Sequence, residues 1–300
     1  MQLVAVVTRR KPTADLKINS SVSVVHIDDV FRWKNKIDVM VLCGGSKDDL
    51  PVQTPQFVNL FNVVDSFDTH AKILQHLDVA NKIAKKAKKT VVVSAGWDPG
   101  LFSINRLYMG AVLPRAAVTS FWGEGVSQGH SDAIRKVNGV EMACQYTVPI
   151  GATVDAIRQG STKEFTAREK HKRICFVVTK DGVNKDKIKN DICSMPDYFA
   201  DYDTTVNFID KDEFVKNHSK LPHGGTVIAN GKTSDNHSHT LEFSIKLDSN
   251  PEFTASVLLA YARAVFRMTK QKQFGAYTVY DVPPVLLSQN DRETAIKELL

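Results

Sequence analysis

Residues 3–10 read LVAVVTRR. An apolar, β-branched run of this length, bounded by polar residues, is the signature of a buried strand. It ends on two adjacent arginines, Arg9 and Arg10. Three further stretches repeat the design. VMVLCGGS (39–46) is an apolar run closing on two glycines and a serine, and NVVDSFD (62–68) and TVVVSAGWDPG (90–100) also close on polar and small residues. Helical stretches lie between them: QTPQFVNLF, and residues 71–89. In the second, Ile73, Leu77, Ala80, Ala84 and Ala87 recur at helical spacing. The basic run Lys82 to Lys89 then falls largely on the solvated face and near the carboxyl end, where the helix dipole favours cations. Near-continuous strands bridged by helices indicate a parallel sheet covered on both faces. Ligands of such sheets bind at the carboxyl ends of the strands. Those ends are Thr8-Arg9-Arg10, Cys43-Gly44-Gly45-Ser46, Asp65-Ser66-Phe67-Asp68 and Gly96-Trp97-Asp98-Pro99-Gly100.

After about residue 120 the texture changes. CQYTVPI, RICFVVTK, TTVNFID, GTVIAN and LEFSIKL read as strands separated by polar turns, with helices sparse among them. This predicts an α+β domain with an antiparallel or mixed sheet. From Ala255 to Lys270, Val257, Ala260, Tyr261, Ala264 and Met268 share one helical face, and the tail GAYTVYDVPPVLLS reads as one more strand returning to the first domain. The expected division is 1–96 together with 276–300, and 97–275.

Composition narrows the classes. The chain has 300 residues, 43% hydrophobic and 24% charged, as globular domains have. No apolar run approaches the roughly 20 residues that cross a bilayer, and no basic leader with an apolar stretch and cleavage site is visible. The default expectation is a cytoplasmic protein. Cys43, Cys144, Cys175 and Cys193 are scattered without a CxxC pair, which argues for reduced thiols and against a disulfide framework or zinc. The net charge of +6 comes from dispersed residues with no helix-turn-helix or finger pattern, so an anionic small molecule explains it as well as nucleic acid does. His237 and His239 share one strand face, but no third ligand accompanies them and no metal is expected.

The strand ends suggest chemistry. In dinucleotide folds the second strand ends at the adenosine ribose; an acidic residue there suits NAD, and arginine accommodates the 2′-phosphate of NADP. Arginine's planar fork can hold a phosphate bidentately, although Arg9 and Arg10 also read as solvated loop residues. Gly44 and Gly45 let the backbone approach a ligand, or simply make a turn. Asp68 and Asp98 end two strands. Each alone reads as a cap or turn residue; together, beside Trp97, they can hold a substrate ammonium and share in its deprotonation. FWGEGVSQGHSDAIRK (121–136) is either a loop with an N-cap at Ser131 or a pocket rim offering Trp122, Gln128 and Gly129. HKRICFVV places His171, Lys172 and Arg173 just before a strand, and MPDYF and LPHGG are compact loops.

These segments occur in a telling order: VSAGWDPGLFSINR, SFWGEGVSQGHSDA, HKRICFVV, MPDYF, NFID, LPHGG and IKLDSNPEFTA. Together they resemble the meso-diaminopimelate dehydrogenases, from about residue 1 to about residue 287. The resemblance implies an α/β protein: a Rossmann-type dinucleotide-binding domain, N-terminally incomplete, plus an α+β substrate-binding and dimerisation domain with a mixed sheet. It implies reversible, NADP-dependent oxidative deamination of the D-centre of meso-2,6-diaminopimelate to L-2-amino-6-oxopimelate (which cyclises to tetrahydrodipicolinate) and ammonia, in lysine biosynthesis, by a homodimer. It further implies that Asp68 and Asp98 face the reacting amine and that Trp97, Trp122, Gln128 and Gly129 shape the pocket. Thr147, Arg173, His223 and Asn250 would grip the distal L-centre. Thr8, Arg9 and Arg10 would bind the 2′-phosphate, with Cys43, Gly44, Gly45, Ser46, Ser66 and Phe67 lining the cofactor.

One departure stands out. The family's first strand, its GxGxxG turn and its first helix, which hold the pyrophosphate at a helix amino terminus, are absent. A chain truncated at its amino terminus is the expectation, with Met1 an internal methionine. This 300-residue chain should then bind NADP poorly and melt early, which NADPH affinity and a melting curve would decide. Two alternatives stay open at this point: a cofactor-deficient scaffold or binding protein of the same fold, and another two-domain NADP-dependent oxidoreductase acting on a sugar or semialdehyde.

Overall fold

The structure is a computed structural model that describes residues 1–10 and 21–300. The chain forms two compact units, Met1–Ser103 with Thr254–Leu300, and Ile104–Phe253.

The opening run forms strand β1 (Ala5–Thr8), parallel to β2 (Ser23–His26). A 3-10 segment, Ile27–Trp33, leads to β3 (Val39–Leu42), helix α1 (Leu50–Val58), β4 (Asn62–Asp65), helix α2 (Ile73–Ala87) and β5 (Thr90–Val92). Both β4 and β5 are buried at every position, which is why their sequences lack the alternation of half-exposed strands. β4 stops at Asp65, short of the expected Asp68, so Ser66, Phe67 and Asp68 belong to the loop beyond it. On α2, Ala80 and Ala84 are fully buried while Ile73 and Leu77 pack against the same core, and the lysines stay outside. The helix stops where Lys88 turns left-handed (φ 52°).

Helix α3 (Leu101–Val112), whose first three residues belong to the first unit, leads into β6 (Ala117–Trp122), β7 (Gly125–Val126), α4 (Gln128–Arg135), β8 (Val140–Pro149) and α5 (Gly151–Arg158) of the second. Next come α6 (Ala167–Lys170), β9 (His171–Thr179), α7 (Lys185–Cys193), β10 (Asp203–Phe208) and α8 (Lys211–His218). The unit closes with β11 (His223–Ser234) and β12 (His237–Leu247). One sheet, of order β10-β9-β8-β7, is mixed: β10 and β9 run parallel and the other pairs antiparallel. The other, of order β12-β11-β6, is antiparallel.

Helices are not sparse here, contrary to the sequence reading. α4 to α8 punctuate the strands, and three of them carry capping side chains visible in the sequence. Thr166 and Glu169 form a reciprocal capping box, and Asn184 and Asp210 accept from the amides of Lys187 and Glu213. Their brevity hides their periodicity. α4 is capped at Ser127 rather than Ser131; Ser131 lies inside the helix and donates to the Ser127 carbonyl (2.6 Å).

The chain ends with α9 (Asn250–Lys270), β13 (Gly275–Tyr277) and α10 (Arg292–Leu299). α9 buries Val257, Tyr261, Ala264 and Met268 on the predicted face. β13 lies parallel beside β5, giving the order β13-β5-β4-β3. Residues 254–275 therefore group with the first unit, where the sequence reading had them in the second. The strand run read as one parallel sheet is divided in two, because β1 and β2 form a sheet of their own. Side chains join the two sheets: Val7 and Ile27 pack on the core that holds Met40, Leu42 and Phe57.

Candidate active site

Each strand end of the first unit is fastened by polar side chains. Past β1, the Arg9 guanidinium makes a forked ion pair with Asp49: Nη1 to Oδ1 at 2.6 Å and Nη2 to Oδ2 at 3.2 Å. The same carboxylate accepts the Gly45 amide (3.0 Å). That amide and then Arg9 hold the Asp49 carboxyl below its ordinary range. Thr8 is turned inward to its own strand end, its Oγ1 accepting the Arg10 amide (3.1 Å). Arg9 thus presents bidentate anion geometry where a 2′-phosphate was expected, with a carboxylate in the anion's place. Asp49, four residues after Gly45 and just ahead of α1, is a partner that sequence reasoning missed.

Past β3, Cys43 is exposed and Gly45 takes the amides of Asp49 and Leu50 on its carbonyl (2.9 and 3.1 Å). Ser46 reaches across to the next strand end: its Oγ accepts the amides of Asp68 (2.8 Å) and Thr69 (3.1 Å). Past β4, Ser66 is half-buried and Asp68 exposed. The Phe67 ring is buried in the core and stacked on His76 (4.2 Å between centroids), so only its backbone is available to line a ligand. Past β5, Trp97 is buried edge-on to Phe102 and Asp98 is half-buried. The turn needs its glycine: Gly100 has φ +137°, and a side chain there would collide with the Gly96 carbonyl.

In the second unit Thr147, Arg173, Trp122 and His223 stand on strands. Gly125 of β7 pairs with Thr147 of β8, Thr147 with Arg173 of β9, and Arg173 with Thr204 of β10, so one row crosses the sheet. Arg173 is 6% exposed. It donates through Nη1 to Thr147 Oγ1, and its guanidinium carbon lies 3.9 Å over the Tyr202 ring. Its Nε has no hydrogen-bond partner, nor has Oε1 of fully buried Gln145, whose Nε2 donates to Thr147 (3.3 Å). Burial pulls the Arg173 pKa down and Tyr202 opposes it. A buried guanidinium with an unsatisfied N–H has the geometry to take a carboxylate.

His223 begins β11 beside this row: a side chain on Gly125 would collide with the His223 backbone. His223 is buried, which lowers its pKa. Asn250 opens α9, with its amide on the Leu221 carbonyl (2.9 Å). Gln128 and Gly129 are exposed in the first turn of α4. Trp122 ends β6, and its amide donates to Nε2 of buried His171 (2.9 Å). Burial, then Arg173, pushes the His171 pKa down to about 3, leaving a neutral acceptor. Burial and then Arg173 likewise take His130 down to about 4. Tyr202 and Gln145 were missed in the sequence; Gln145 and Thr147, like His171 and Arg173, carry the two-residue spacing that puts side chains on one strand face. His237 and His239 bond to Ser234 (2.8 Å) and Thr233 (2.7 Å).

A parallel α/β unit with such strand ends, together with a mixed α/β unit carrying a buried arginine whose Nε is unpaired, is the architecture of a dinucleotide-dependent oxidoreductase. The model of the diaminopimelic acid dehydrogenase C-terminal domain matches residues 96–249, and the meso-diaminopimelate D-dehydrogenase of Ureibacillus thermosphaericus is 51% identical over 300 residues, which are 100% of this chain and 92% of the relative. The chain belongs to the meso-diaminopimelate D-dehydrogenase family. Among solved structures, the C. glutamicum diaminopimelate dehydrogenase in complex with diaminopimelate superposes with a TM-score of 0.93 at 44% identity, covering 100% of this chain and 92% of that one. An engineered D-amino acid dehydrogenase bound to NADP+ gives 0.87 at 41% identity with the same coverage.

Proposed function

We propose that the chain catalyses the reversible, NADP-dependent oxidative deamination of the D-centre of meso-2,6-diaminopimelate to L-2-amino-6-oxopimelate and ammonia, a step of lysine biosynthesis. The observation that carries this reading is the buried Arg173 row. A guanidinium held by Thr147 and Tyr202, with an unpartnered Nε, suits the carboxylate of an amino acid and not an uncharged sugar. Thr147, Arg173, His223 and Asn250 are assigned to the distal L-centre, and Trp97, Trp122, Gln128 and Gly129 to the walls.

Asp68 and Asp98 take the reacting amine. The D-centre ammonium gives a proton to one carboxylate, the alpha C–H bond then breaks with its electron pair leaving as hydride, and water hydrolyses the resulting imine to the oxo acid and ammonia. NADP+, when bound, accepts that hydride. Thr8, Arg9 and Arg10 are assigned to its 2′-phosphate, a reading supported by the forked Arg9–Asp49 pair, and Cys43, Gly44, Gly45, Ser46, Ser66 and the Phe67 backbone to its remainder. The first unit is the cofactor domain and the second the substrate and dimerisation domain. The long strand β12, exposed over most of its length at the edge of its sheet, is a surface for a second copy. We assign the chain to the cytoplasm. Separately, no helix among the described residues is long and apolar enough to cross a membrane.

The test is NADPH formation. With meso-diaminopimelate the chain should reduce NADP+, and with sugars or semialdehydes it should not. Turnover of the sugar alone would overturn the assignment, and light scattering of the pure chain would test the dimer.

A further inference from the structure

Between the two aspartates' strand ends lies a carboxylate with no assigned role. Asp65 closes β4 and is 0% exposed. Its Oδ1 accepts the amides of Phe67 (3.1 Å) and Ser94 (2.9 Å). Its Oδ2 accepts the Thr54 hydroxyl (2.7 Å) and His76 Nε2 (2.7 Å). Four donors fill the acceptor sites of one carboxylate. Its own carbonyl takes the Ala95 amide (2.9 Å).

The β4–β5 ladder ends at Val64 and Val92. Beyond that pair Asp65 ties the two strand ends together, through its side chain and its own carbonyl. On one side it holds the amide immediately before Asp68. On the other it holds Ser94, a non-glycine residue at φ +59°, at the start of the segment that runs through Trp97 to Asp98. A left-handed serine persists where its surroundings over-determine it. Thr54 and His76 are buried, and the His76 ring is stacked on Phe67, so the assembly is fixed from behind by α1 and α2.

We propose that Asp65, backed by Thr54 and His76, is the positioning residue of the reacting end: it sets the spacing of the loops that carry Asp68 and Asp98. This rests on the reading that those two carboxylates handle the amine. Misplacement of a reacting group by about 1 Å can cost on the order of 100-fold in rate, so the effect belongs in kcat.

The test is Asp65→Asn with NADP+ and with meso-diaminopimelate either unlabelled or deuterated at the D-alpha carbon. The amide oxygen can keep the two backbone donors while the Thr54 hydroxyl and the His76 tautomer adapt to the new NH2, so the variant retains a folded core. The expected result is a kcat lower by about 10- to 100-fold, little change in either KM, and a larger deuterium isotope effect as hydride departure becomes limiting. Thr54→Val should move the same quantities in the same direction, and Thr54→Ser, which keeps the donor, should restore them. Wild-type kcat and isotope effect in Asp65→Asn would overturn the proposal. So would a loss of rate that only tracks the fraction of folded protein, with the isotope effect unchanged. Asp68→Asn separates the two readings: full activity there overturns the site assignment itself, and its inactivity beside an unaffected Asp65→Asn overturns only the positioning role.

Discussion

In the first unit the polar groups that matter stand beyond the ladder, at strand ends, and side chains from neighbouring segments fasten them: Ser46 to the Asp68 amide, Asp49 to Arg9 and Gly45, Asp65 to Phe67 and Ser94. In the second unit they stand within the ladder, as the row Gly125, Thr147, Arg173, and the sheet register itself fixes them. Loop ends held by side-chain hydrogen bonds can be retuned by changing one side chain at a time. A buried row cannot lose a member without leaving an unsatisfied polar group in the core. The first arrangement suits groups that move a proton or meet a large cofactor; the second suits rigid recognition of a charged end.

The contrast can be broken by mutation. The largest effect is expected for Asp98→Asn, which on the proposed assignment removes a proton acceptor and should lower kcat by about 100- to 10,000-fold while leaving NADPH affinity intact; equal NADPH and rate losses would count against its place in the first group. Next comes Arg173→Ala. Loss of a buried charged donor should raise the KM for diaminopimelate by about 100-fold, with NADPH binding by fluorescence titration unchanged. Smaller still is the Asp49 exchange. Asp49→Asn releases Arg9 from an exposed pair whose strength is at most about 1 kcal/mol. NADPH should bind a few-fold more tightly and NADH as before, whereas Arg9→Ala should weaken NADPH alone. An unchanged preference in both variants would remove Arg9 from the 2′-phosphate.

The gentlest prediction concerns pH. His171 and His130 have folded pKa values near 3 and 4, below the ordinary value near 6.5. Between those limits the unfolded chain binds more protons, so stability rises with pH there and falls as pH drops from about 6.5, by roughly 1 kcal/mol per pH unit for each histidine. Above that window both are neutral in either state and contribute no slope. Denaturant melts at pH 7 and pH 5 should show the loss, and His171→Gln should reduce it. An identical slope in the variant would contradict the assignment of a neutral, accepting imidazole beneath Trp122.

How far the sequence could be read followed from the range of the interactions. β3, β4, β5 and α2 announce themselves by local composition, since a strand buried on both faces needs an apolar run and an amphipathic helix needs its period. Their ends follow, and with them Ser46, Asp68 and Asp98, as does Arg9 past the apolar run of β1. The Ser127 cap and the capped helices among β8 to β11 carried local signals too, but short helices offer too few turns for a period. The family resemblance placed Phe67 along the cofactor, and only packing shows its ring turned inward onto His76. Tyr202 and Arg173 are far apart in the chain, and no local pattern pairs them.

By itself, then, the sequence determined the α/β pattern, the polar strand ends and, through its ordered motifs, the family, because each is written in contiguous residues. Tertiary structure alone decided the separate β1–β2 sheet, the Arg9–Asp49 fork, the Asp65 junction and the Thr147–Arg173–Tyr202 stack. Those depend on register and on side chains meeting across the fold, and a buried carboxylate or guanidinium takes its meaning from the partners that replace the water it has lost.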